Sequence, residues 1–208
     1  MNFPGSEQFE LLLRQRNRFS GEQVVRLSRY YRFVLKWNAR LHLTTITRPQ
    51  DFFERHIVES SLVAEKIGSM VDQVWDIGSG AGVPGLIVAI LRSELAVYLV
   101  ESSRKKALFL EEAVAELNLA NVTVINRRVE SLENLPESSC MTARAIEEME
   151  EMIPVLIEFG HSGSQMIFLG AKTLEEIVRA NLTGSWKLES SILPGSHSRL
   201  LIIANRST

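Results

Sequence analysis

Val74-Trp-Asp-Ile-Gly-Ser-Gly-Ala-Gly-Val-Pro-Gly-Leu86 is the stretch of sequence that decides the fold. A short apolar segment ends at Asp76, and a second apolar run begins at Leu86. Four glycines stand between them: Gly78, Gly80, Gly82 and Gly85. Glycine supplies the positive φ angles that a tight turn needs, and it lets a ligand approach bare backbone. The pattern therefore predicts a strand, a tight turn and a helix N-terminus that together form a ligand site.

Two ligands compete for this turn. The segment from Gly80 to Gly85 fits the spacing of a dinucleotide fingerprint, and Glu101 follows at the distance of a ribose contact. The pattern acid-x-Gly-x-Gly-x-Gly from Asp76 to Gly82 instead resembles motif I of the S-adenosylmethionine methyltransferases. Asp76 would put negative charge where a pyrophosphate should lie, whereas a carboxylate suits an ammonium group. We favour the methyltransferase, with an NAD-dependent oxidoreductase, a non-catalytic RNA-binding protein and an ordinary strand–helix turn as alternatives.

The composition is that of an ordinary globular protein with room for one core and an appendage. The chain has 208 residues, of which 45% are hydrophobic and 23% are charged. Cys140 is the only cysteine, which excludes an intramolecular disulfide and a cysteine-based metal cluster, and we predict no metal site. The first seven residues show no signal-peptide pattern, and the longest strongly apolar run, 86–91, cannot span a bilayer. We expect a cytoplasmic protein without a membrane partner.

Charge is unevenly distributed along the chain. Residues 1–60 contain 10 Lys and Arg against 6 Asp and Glu, whereas residues 61–208 contain 13 against 19. A basic arm on an acidic body fits an anionic partner that approaches from one side.

The N-terminal region is predicted to be helical, with one strongly two-faced helix. A short helix is expected over 7–16, and Ser20 with Gln23 forms a capping box for a helix that runs to about Leu41. At about 100° per residue, one face is apolar: Val24, Leu27, Tyr31, Val34 and Leu41. The opposite face gathers five cations: Arg26, Arg29, Arg32, Lys36 and Arg40. These cations suit contact with RNA phosphates, and the alternative is a solvated outer face.

The remainder of the chain predicts an α/β fold. Residues 43–47 break the helical period, and a further helix is expected to start after Thr47 and to extend to about Ile67. Its His56 is a candidate ligand or base, although a lone histidine on a helix more often has a structural role. Strands are then predicted at 73–76, 96–101, 121–126, 139–145, 164–169, 186–192 and 199–205. Helices are predicted at 84–92, 103–118, 147–158 and 173–181. Alternating units imply a mostly parallel seven-stranded sheet covered on both faces, and the last two strands should form an antiparallel hairpin.

This arrangement resembles the class I S-adenosylmethionine-dependent methyltransferase (Rossmann-like) fold. We divide the chain into a basic N-terminal helical extension, 1–70, and a methyltransferase domain, 71–208. Ligands of such sheets bind at the carboxyl ends of the strands. Polar residues follow the predicted strands there: Asp76, Glu101, Val129 with Glu130, and Arg144. Glu101 can accept from both ribose hydroxyls, and the backbone at Val129 and Glu130 can meet an adenine edge; Glu130 can equally be a helix N-terminal charge.

The segment after the fourth predicted strand limits which kind of atom can accept the methyl group. Amino-directed methyltransferases carry Asn/Asp-Pro-Pro-aromatic at this place, whereas this chain has Thr142-Ala-Arg-Ala145. Methylation at cytosine C5 needs a cysteine nucleophile, and Cys140 lies within the predicted strand and not at its end. An acceptor with its own lone pair, such as a ring nitrogen, is what remains.

The chain is similar to the RsmG (GidB) family of bacterial 16S rRNA guanine-N7 methyltransferases over nearly its whole length. The shared motifs are Trp37-Asn38 with 43–46, Arg55-His56-Ile57 with Ser60, the loop 76–85, Glu101-Ser102 with Lys105-Lys106, 128–130 and 143–145. The resemblance implies S-adenosylmethionine as cofactor, 16S rRNA as substrate, free or in a small-subunit particle, and direct methyl transfer without a general base. It also implies cofactor contacts from Gly78, Val83, Val129, Glu130 and Arg144. We expect no stable protein partner and a monomer. The chain departs from the family pattern at His42, Glu59 and Thr173, where asparagine, aspartate and glycine are usual.

Overall fold

The computed structural model describes residues 5–16, 18–184 and 186–207. Residues 1–4, which belong to the predicted N-terminal extension and to the stretch in which we predict no signal peptide, lie outside these ranges. Within the described residues, no helix combines the length and the hydropathy that crossing a membrane requires.

Two helices open the described chain, as the sequence predicted. Helix α1 spans Ser6–Gln15 and helix α2 spans Gly21–Leu41. The predicted capping box is present, because Ser20 Oγ accepts from Gln23 N and the Gln23 side chain accepts from Ser20 N. On the predicted inner face, four positions are buried and Leu41 is half-buried. Helix α2 is capped by His42, whose φ of 49° is left-handed. Asparagine, which the family resemblance predicts at this position, tolerates such a conformation well.

The predicted continuous helix from Thr47 to Ile67 is instead three segments. Helix α3 spans Pro49–Phe52, a π-helical turn spans Phe53–Val58, and helix α4 spans Glu59–Lys66. The apolar period that predicts a helix does not distinguish an α-turn from the wider π-turn. A π-turn inserted in a helix is frequent at functional sites, and here it carries Arg55 and His56.

Among the residues that the structure describes, seven strands form one sheet in the order β3-β2-β1-β4-β5-β7-β6, which confirms the predicted fold class. The pairs β3–β2, β2–β1, β1–β4 and β4–β5 are parallel, and β7 is antiparallel to both β5 and β6. The strands are β1 Gln73–Ile77, β2 Ala96–Val100, β3 Val122–Ile125, β4 Ser139–Arg144, β5 Gln165–Ala171, β6 Trp186–Ile192 and β7 Arg199–Arg206.

Helices cover both faces of this sheet. They are α5 Gly85–Leu91, α6 Arg104–Leu117, α7 Met149–Gly160 and α8 Lys172–Asn181. Alternate strand residues point to opposite faces, so that Cys140 joins the core under α2, α5 and α6, whereas Met141 joins the core under α7 and α8. Helix α7 begins two residues later than predicted because Glu148 has a left-handed φ of 48°.

The N-terminal helices share a core with the sheet. Tyr30 and Val34 of α2 belong to the same buried cluster as Leu86 of α5 and Phe109 of α6. The Phe33 ring stacks on that of Phe109 with centroids 5.6 Å apart. The division of the chain at residue 70 therefore stays a prediction, since the packing itself continues across it. Cys140 is fully buried, and burial raises the pKa of its thiol, which makes it a packing residue.

Candidate cofactor and substrate site

A cavity of about 750 Å³ lies at the carboxyl ends of β1, β4 and β5. The glycine loop after β1 forms one wall, and residues 42–46, which follow α2, form another. The remaining lining comes from the π-helical turn with Glu59 of α4, the end of β4 with Ala145 and Glu147, the end of β5, Leu193 with the start of β7, and Lys106 of α6. The N-terminal helices and the sheet thus enclose one site together.

The glycine loop leaves open space at two of its four glycines. Gly78, Gly80 and Gly82 have φ angles of 69°, 53° and 84°. A Cβ at Gly78 would meet nothing within 4 Å, and one at Gly80 would meet only the Gly78 carbonyl oxygen at 3.7 Å. At Gly82 a Cβ would lie 2.3 Å from Leu86, and at Gly85 it would lie 2.7 Å from Asp76 Oδ2. The first two glycines therefore leave an open backbone surface, here called the cradle, against which a ligand can lie, and the last two permit close packing.

Asp76 lies behind this loop, 1% exposed. Its Oδ1 accepts from Thr142 Oγ1 at 2.9 Å and its Oδ2 accepts from Gly85 N at 3.2 Å. Burial raises the pKa of this carboxyl to about 6, while the hydrogen bonds from Thr142 and Gly85 act in the opposite direction. Asp76 ties β1 to β4 and to the start of α5; its contact with an ammonium group stays a prediction.

Glu101 holds the loop from the neighbouring strand. The side chain, 6% exposed, accepts from Gly80 N at 2.9 Å through Oε2 and from Ser103 N at 2.8 Å through Oε1. Each oxygen keeps a second lone pair, so the carboxylate can still accept from ribose hydroxyls. Asn126 Nδ2 donates to the Glu101 carbonyl oxygen at 2.8 Å, which brings the end of β3 beside the end of β2.

Four of the nine predicted cofactor residues line the cavity: Gly78, Gly80, Val83 and Arg144. Asp76, Gly82 and Glu101 support the same loop through their packing and hydrogen bonds. Val129 is buried in the second core cluster, and Glu130 is exposed, 3.8 Å from Arg128 Nη1. The structure therefore gathers the predicted β1, β2 and β4 residues around the loop and leaves Glu130 facing solvent.

An arginine cluster that the sequence reading missed forms another part of the cavity wall. Glu59, 2% exposed, has Arg55 Nε at 3.3 Å and Arg144 Nη1 at 3.4 Å, and it also pairs with Arg199. Arg144 Nη1 donates to the Arg55 carbonyl oxygen at 2.7 Å. Three cations thus share one carboxylate. The i,i+4 spacing of Arg55 and Glu59 was visible in the sequence, but Arg144 and Arg199 come from distant strands.

The linker 42–46 is fixed by polar contacts of the predicted family motif. Asn38 exchanges two hydrogen bonds of 2.9 Å with the backbone of Thr44. Thr44 Oγ1 lies 3.1 Å from His56 Nε2, and Nδ1 of this buried histidine has no hydrogen-bond partner among the described residues. Burial, with the nearby Arg144 charge, lowers the pKa of His56 to about 3, so the ring is neutral. The predicted structural role fits these contacts.

The basic face of α2 lies outside the cavity lining. Arg26 pairs with Glu22 at 2.8 Å. The other four predicted cations form no ion pair with any described residue: Arg29, Arg32, Lys36 and Arg40. Arg32 is half-buried and the remaining three are exposed, so this face is available to an anionic surface.

Comparison with known proteins identifies similar sequences over most of the chain. The family model of rRNA small subunit methyltransferase G (GidB) matches residues 23–194. Ribosomal RNA small subunit methyltransferase G of Roseiflexus castenholzii is 36% identical over 170 residues, which cover 79% of this chain and 73% of the relative. The protein of the same name from Azoarcus sp. is 34% identical over 187 residues, which cover 86% of each.

Solved methyltransferase structures share the fold at low sequence identity. Magnesium protoporphyrin IX methyltransferase from Synechocystis PCC 6803 gives a TM-score of 0.63 at 14% identity over 92% of this chain and 100% of that chain. TrmK from M. capricolum gives 0.59 at 14% identity over 73% and 70%. At these identities the likeness establishes the class I methyltransferase fold alone.

Proposed function

The chain belongs to the rRNA small subunit methyltransferase G family, and we propose that it transfers a methyl group from S-adenosylmethionine to N7 of a guanine in 16S rRNA. The predicted RsmG (GidB) membership is thereby confirmed. We place the reaction in the cytoplasm, where bacterial ribosomes assemble, with free 16S rRNA or a small-subunit particle as substrate.

The observation that carries this proposal is the open cradle at Gly78 and Gly80 beside the cavity. Glu101 bonds the backbone at Gly80 and Asp76 bonds it at Gly85, so hydrogen bonds within the chain hold the loop that forms the cradle. The adjoining wall has three arginines and one buried carboxylate, Glu59. The resulting excess of positive charge suits a polyanion such as RNA. One cavity can therefore receive a cofactor at the loop and an RNA nucleotide at the ends of β4 and β5.

A ring-nitrogen acceptor simplifies what the protein must supply. S-adenosylmethionine carries the methyl group on a sulfonium, and its transfer breaks the S–C bond as the lone pair of N7 forms the N–C bond. Because N7 bears no proton, no residue has to act as a base. The cavity residues then align the guanine with the cofactor and exclude water. Arginine binding to both O6 and N7, a common way of reading guanine, would block the acceptor, so the arginines suit phosphates instead.

Radiolabelled methyl transfer tests the proposal directly. The purified chain is incubated with tritiated S-adenosylmethionine and either free 16S rRNA or small ribosomal subunits, and label in the RNA is counted. Calorimetry with NAD tests the alternative that the chain is an NAD-dependent oxidoreductase. That alternative predicts that NAD binds and that no label enters the RNA. Cofactor binding without RNA methylation would contradict the assignment of the substrate.

A matched pair of glycine substitutions tests where the cofactor binds. Gly78 and Gly184 have φ angles of 69° and 75°, and neither would place a Cβ within 4 Å of another atom. Asparagine tolerates such angles, so both Gly78→Asn and Gly184→Asn should fold. We expect Gly78→Asn to lose cofactor affinity and Gly184→Asn to retain it. Equal affinities would show that the cofactor does not lie on the cradle.

A further inference from the structure

Tyr30 connects the N-terminal helices to the glycine loop. The residue lies on α2 with its side chain 0% exposed, and its hydroxyl donates to the Ala81 carbonyl oxygen at 2.8 Å. Ala81 lies between Gly80 and Gly82 and lines the cavity. Among the described residues, this is the one hydrogen bond between α2 and the loop 78–82. Burial raises the pKa of Tyr30, so its hydroxyl remains protonated and available as a donor at physiological pH.

This contact completes the hydrogen bonding of a single peptide group. The peptide between Ala81 and Gly82 has its N–H bonded to the Ser79 carbonyl oxygen at 2.6 Å and its C=O bonded to Tyr30. The preceding residue, Gly80, is held from the other side of the loop by Glu101 at 2.9 Å. The hydrogen bond from Tyr30 of α2 and the one to Glu101 after β2 therefore restrain two adjacent loop residues, Ala81 and Gly80.

These restraints matter because the loop is rich in glycine. Gly80 and Gly82 both have positive φ angles, and glycine has many backbone conformations of similar energy. Hydrogen bonds to fixed side chains select one of them at the expense of chain entropy. Without the Tyr30 hydroxyl, the carbonyl of Ala81, a half-buried residue that lines the cavity, would lose its protein partner, and rotating the peptide towards water would satisfy it. That rotation would disturb the backbone beside Gly80, where the cradle is open.

We propose that Tyr30 is a positioning residue for the cofactor site, which it serves by holding the Ala81–Gly82 peptide in the binding-competent orientation. The proposal rests on the proposed function, because it takes the cofactor to bind at the glycine cradle. It also implies that the helix carrying the basic face supports the cofactor loop directly. Helix α2 thereby contributes to cofactor binding through the conformation of the glycine loop.

Tyr31 provides a control on the same helix. This side chain is 1% exposed, and its hydroxyl donates to the Thr47 carbonyl oxygen at 2.9 Å, away from the loop. Tyr30→Phe and Tyr31→Phe each keep a buried ring and remove one hydroxyl that donates to a backbone carbonyl. Their effects on the free energy of unfolding should be similar. Only Tyr30→Phe should change the glycine loop.

Two measurements distinguish the variants. In calorimetry below both unfolding temperatures, Tyr30→Phe should weaken S-adenosylmethionine binding by about three- to tenfold, and Tyr31→Phe should leave it within about twofold. Amide hydrogen exchange, which needs no cofactor, should be faster at Gly82 in Tyr30→Phe and unchanged there in Tyr31→Phe.

Three outcomes would overturn the proposal. Unchanged cofactor affinity and unchanged exchange in Tyr30→Phe would make the residue a packing residue only. Equal losses in the two variants would attribute the effect to general destabilisation. Faster exchange at Gly82 with unchanged affinity would show that the loop orientation does not control binding. If the unsubstituted chain binds no S-adenosylmethionine, the proposed function fails, and the exchange data still decide whether Tyr30 holds the loop.

Discussion

At the scale of single residues, two buried carboxylates hold the glycine loop. Glu101 accepts from backbone N–H groups at Gly80 and Ser103, and Asp76 accepts from Gly85 and Thr142. Each carboxylate therefore stabilises this loop conformation through hydrogen bonds within the chain. Pre-organisation of this kind lowers the entropy that binding must overcome.

Glu101→Ala is expected to weaken cofactor binding by at least about tenfold, because a hydrogen bond to a charged group contributes roughly 1.5–3 kcal/mol. The substitution removes both the acceptor for Gly80 N and the predicted acceptor for the ribose. Calorimetry with S-adenosylmethionine measures the effect, and Glu94→Ala, an exposed carboxylate after α5, serves as the control. An affinity equal to that of the unsubstituted chain would remove Glu101 from the site.

Asp76→Asn is expected to change how stability depends on pH. Asp76 has a pKa of about 6 in the folded protein against 3.8 as the reference, so the folded state binds the proton more tightly. The carboxyl therefore favours folding below about pH 4, and this contribution is lost as pH rises through 6. The loss amounts to about 3 kcal/mol, from the shift of about two units.

Urea unfolding between pH 4 and pH 7.5 measures this change. The stability of the unsubstituted chain relative to Asp76→Asn should fall across this range. A flat difference for Asp76→Asn would mean that the carboxyl is not held in a desolvated site.

At the scale of secondary-structure elements, α2 presents two different faces. Its inner face packs on α6 and donates a hydrogen bond to the glycine loop, and its outer face presents cations.

Reversing Arg29, Arg32 and Lys36 to Glu should abolish RNA affinity and flatten its dependence on salt, because phosphate contacts release counterions. Cofactor affinity should be retained, since none of the three lines the cavity. Normal methylation of RNA by the triple variant would identify this face as solvated surface.

Most of the strands and helices of this fold were predictable from the sequence. Apolar segments bounded by glycine, proline or polar residues located all seven strands to within two residues. The π-helical turn at Phe53–Val58 was missed, because burying Phe53 and Ile57 on one side satisfies the apolar pattern of either helix type. Spacing also placed Asp76 and Glu101 at strand ends, but it could not show that their oxygens bond the loop backbone.

At the scale of the whole molecule, the site depends on chain segments that are far apart in sequence. Arg55 of the π-helical turn, Arg144 of β4 and Arg199 of β7 meet only because the sheet order places β4, β5 and β7 side by side. No sequence spacing encodes such a meeting, which explains why the cluster was not predicted. The arginine cluster and the glycine loop line the same cavity.

The pH dependence of turnover should show no essential histidine. His56 is the buried histidine that lines the cavity beside Arg144, and its pKa of about 3 leaves it neutral at working pH. The pH profile of single-turnover rates for His56→Gln should therefore keep the shape of the unsubstituted profile, even if the rate falls through altered packing. His161→Gln, at an exposed position, is the control. Loss of the acidic limb of the profile, where a base becomes protonated, in His56→Gln alone would indicate proton transfer and contradict direct attack by a ring nitrogen.

The position of the transferred methyl group tests the central claim most directly. Small-subunit rRNA is treated with the chain and labelled S-adenosylmethionine in a single turnover, digested to nucleosides and resolved by mass spectrometry. We expect the label in 7-methylguanosine. Label on an exocyclic amine or on a carbon, or its absence from the RNA altogether, would contradict methylation at guanine N7.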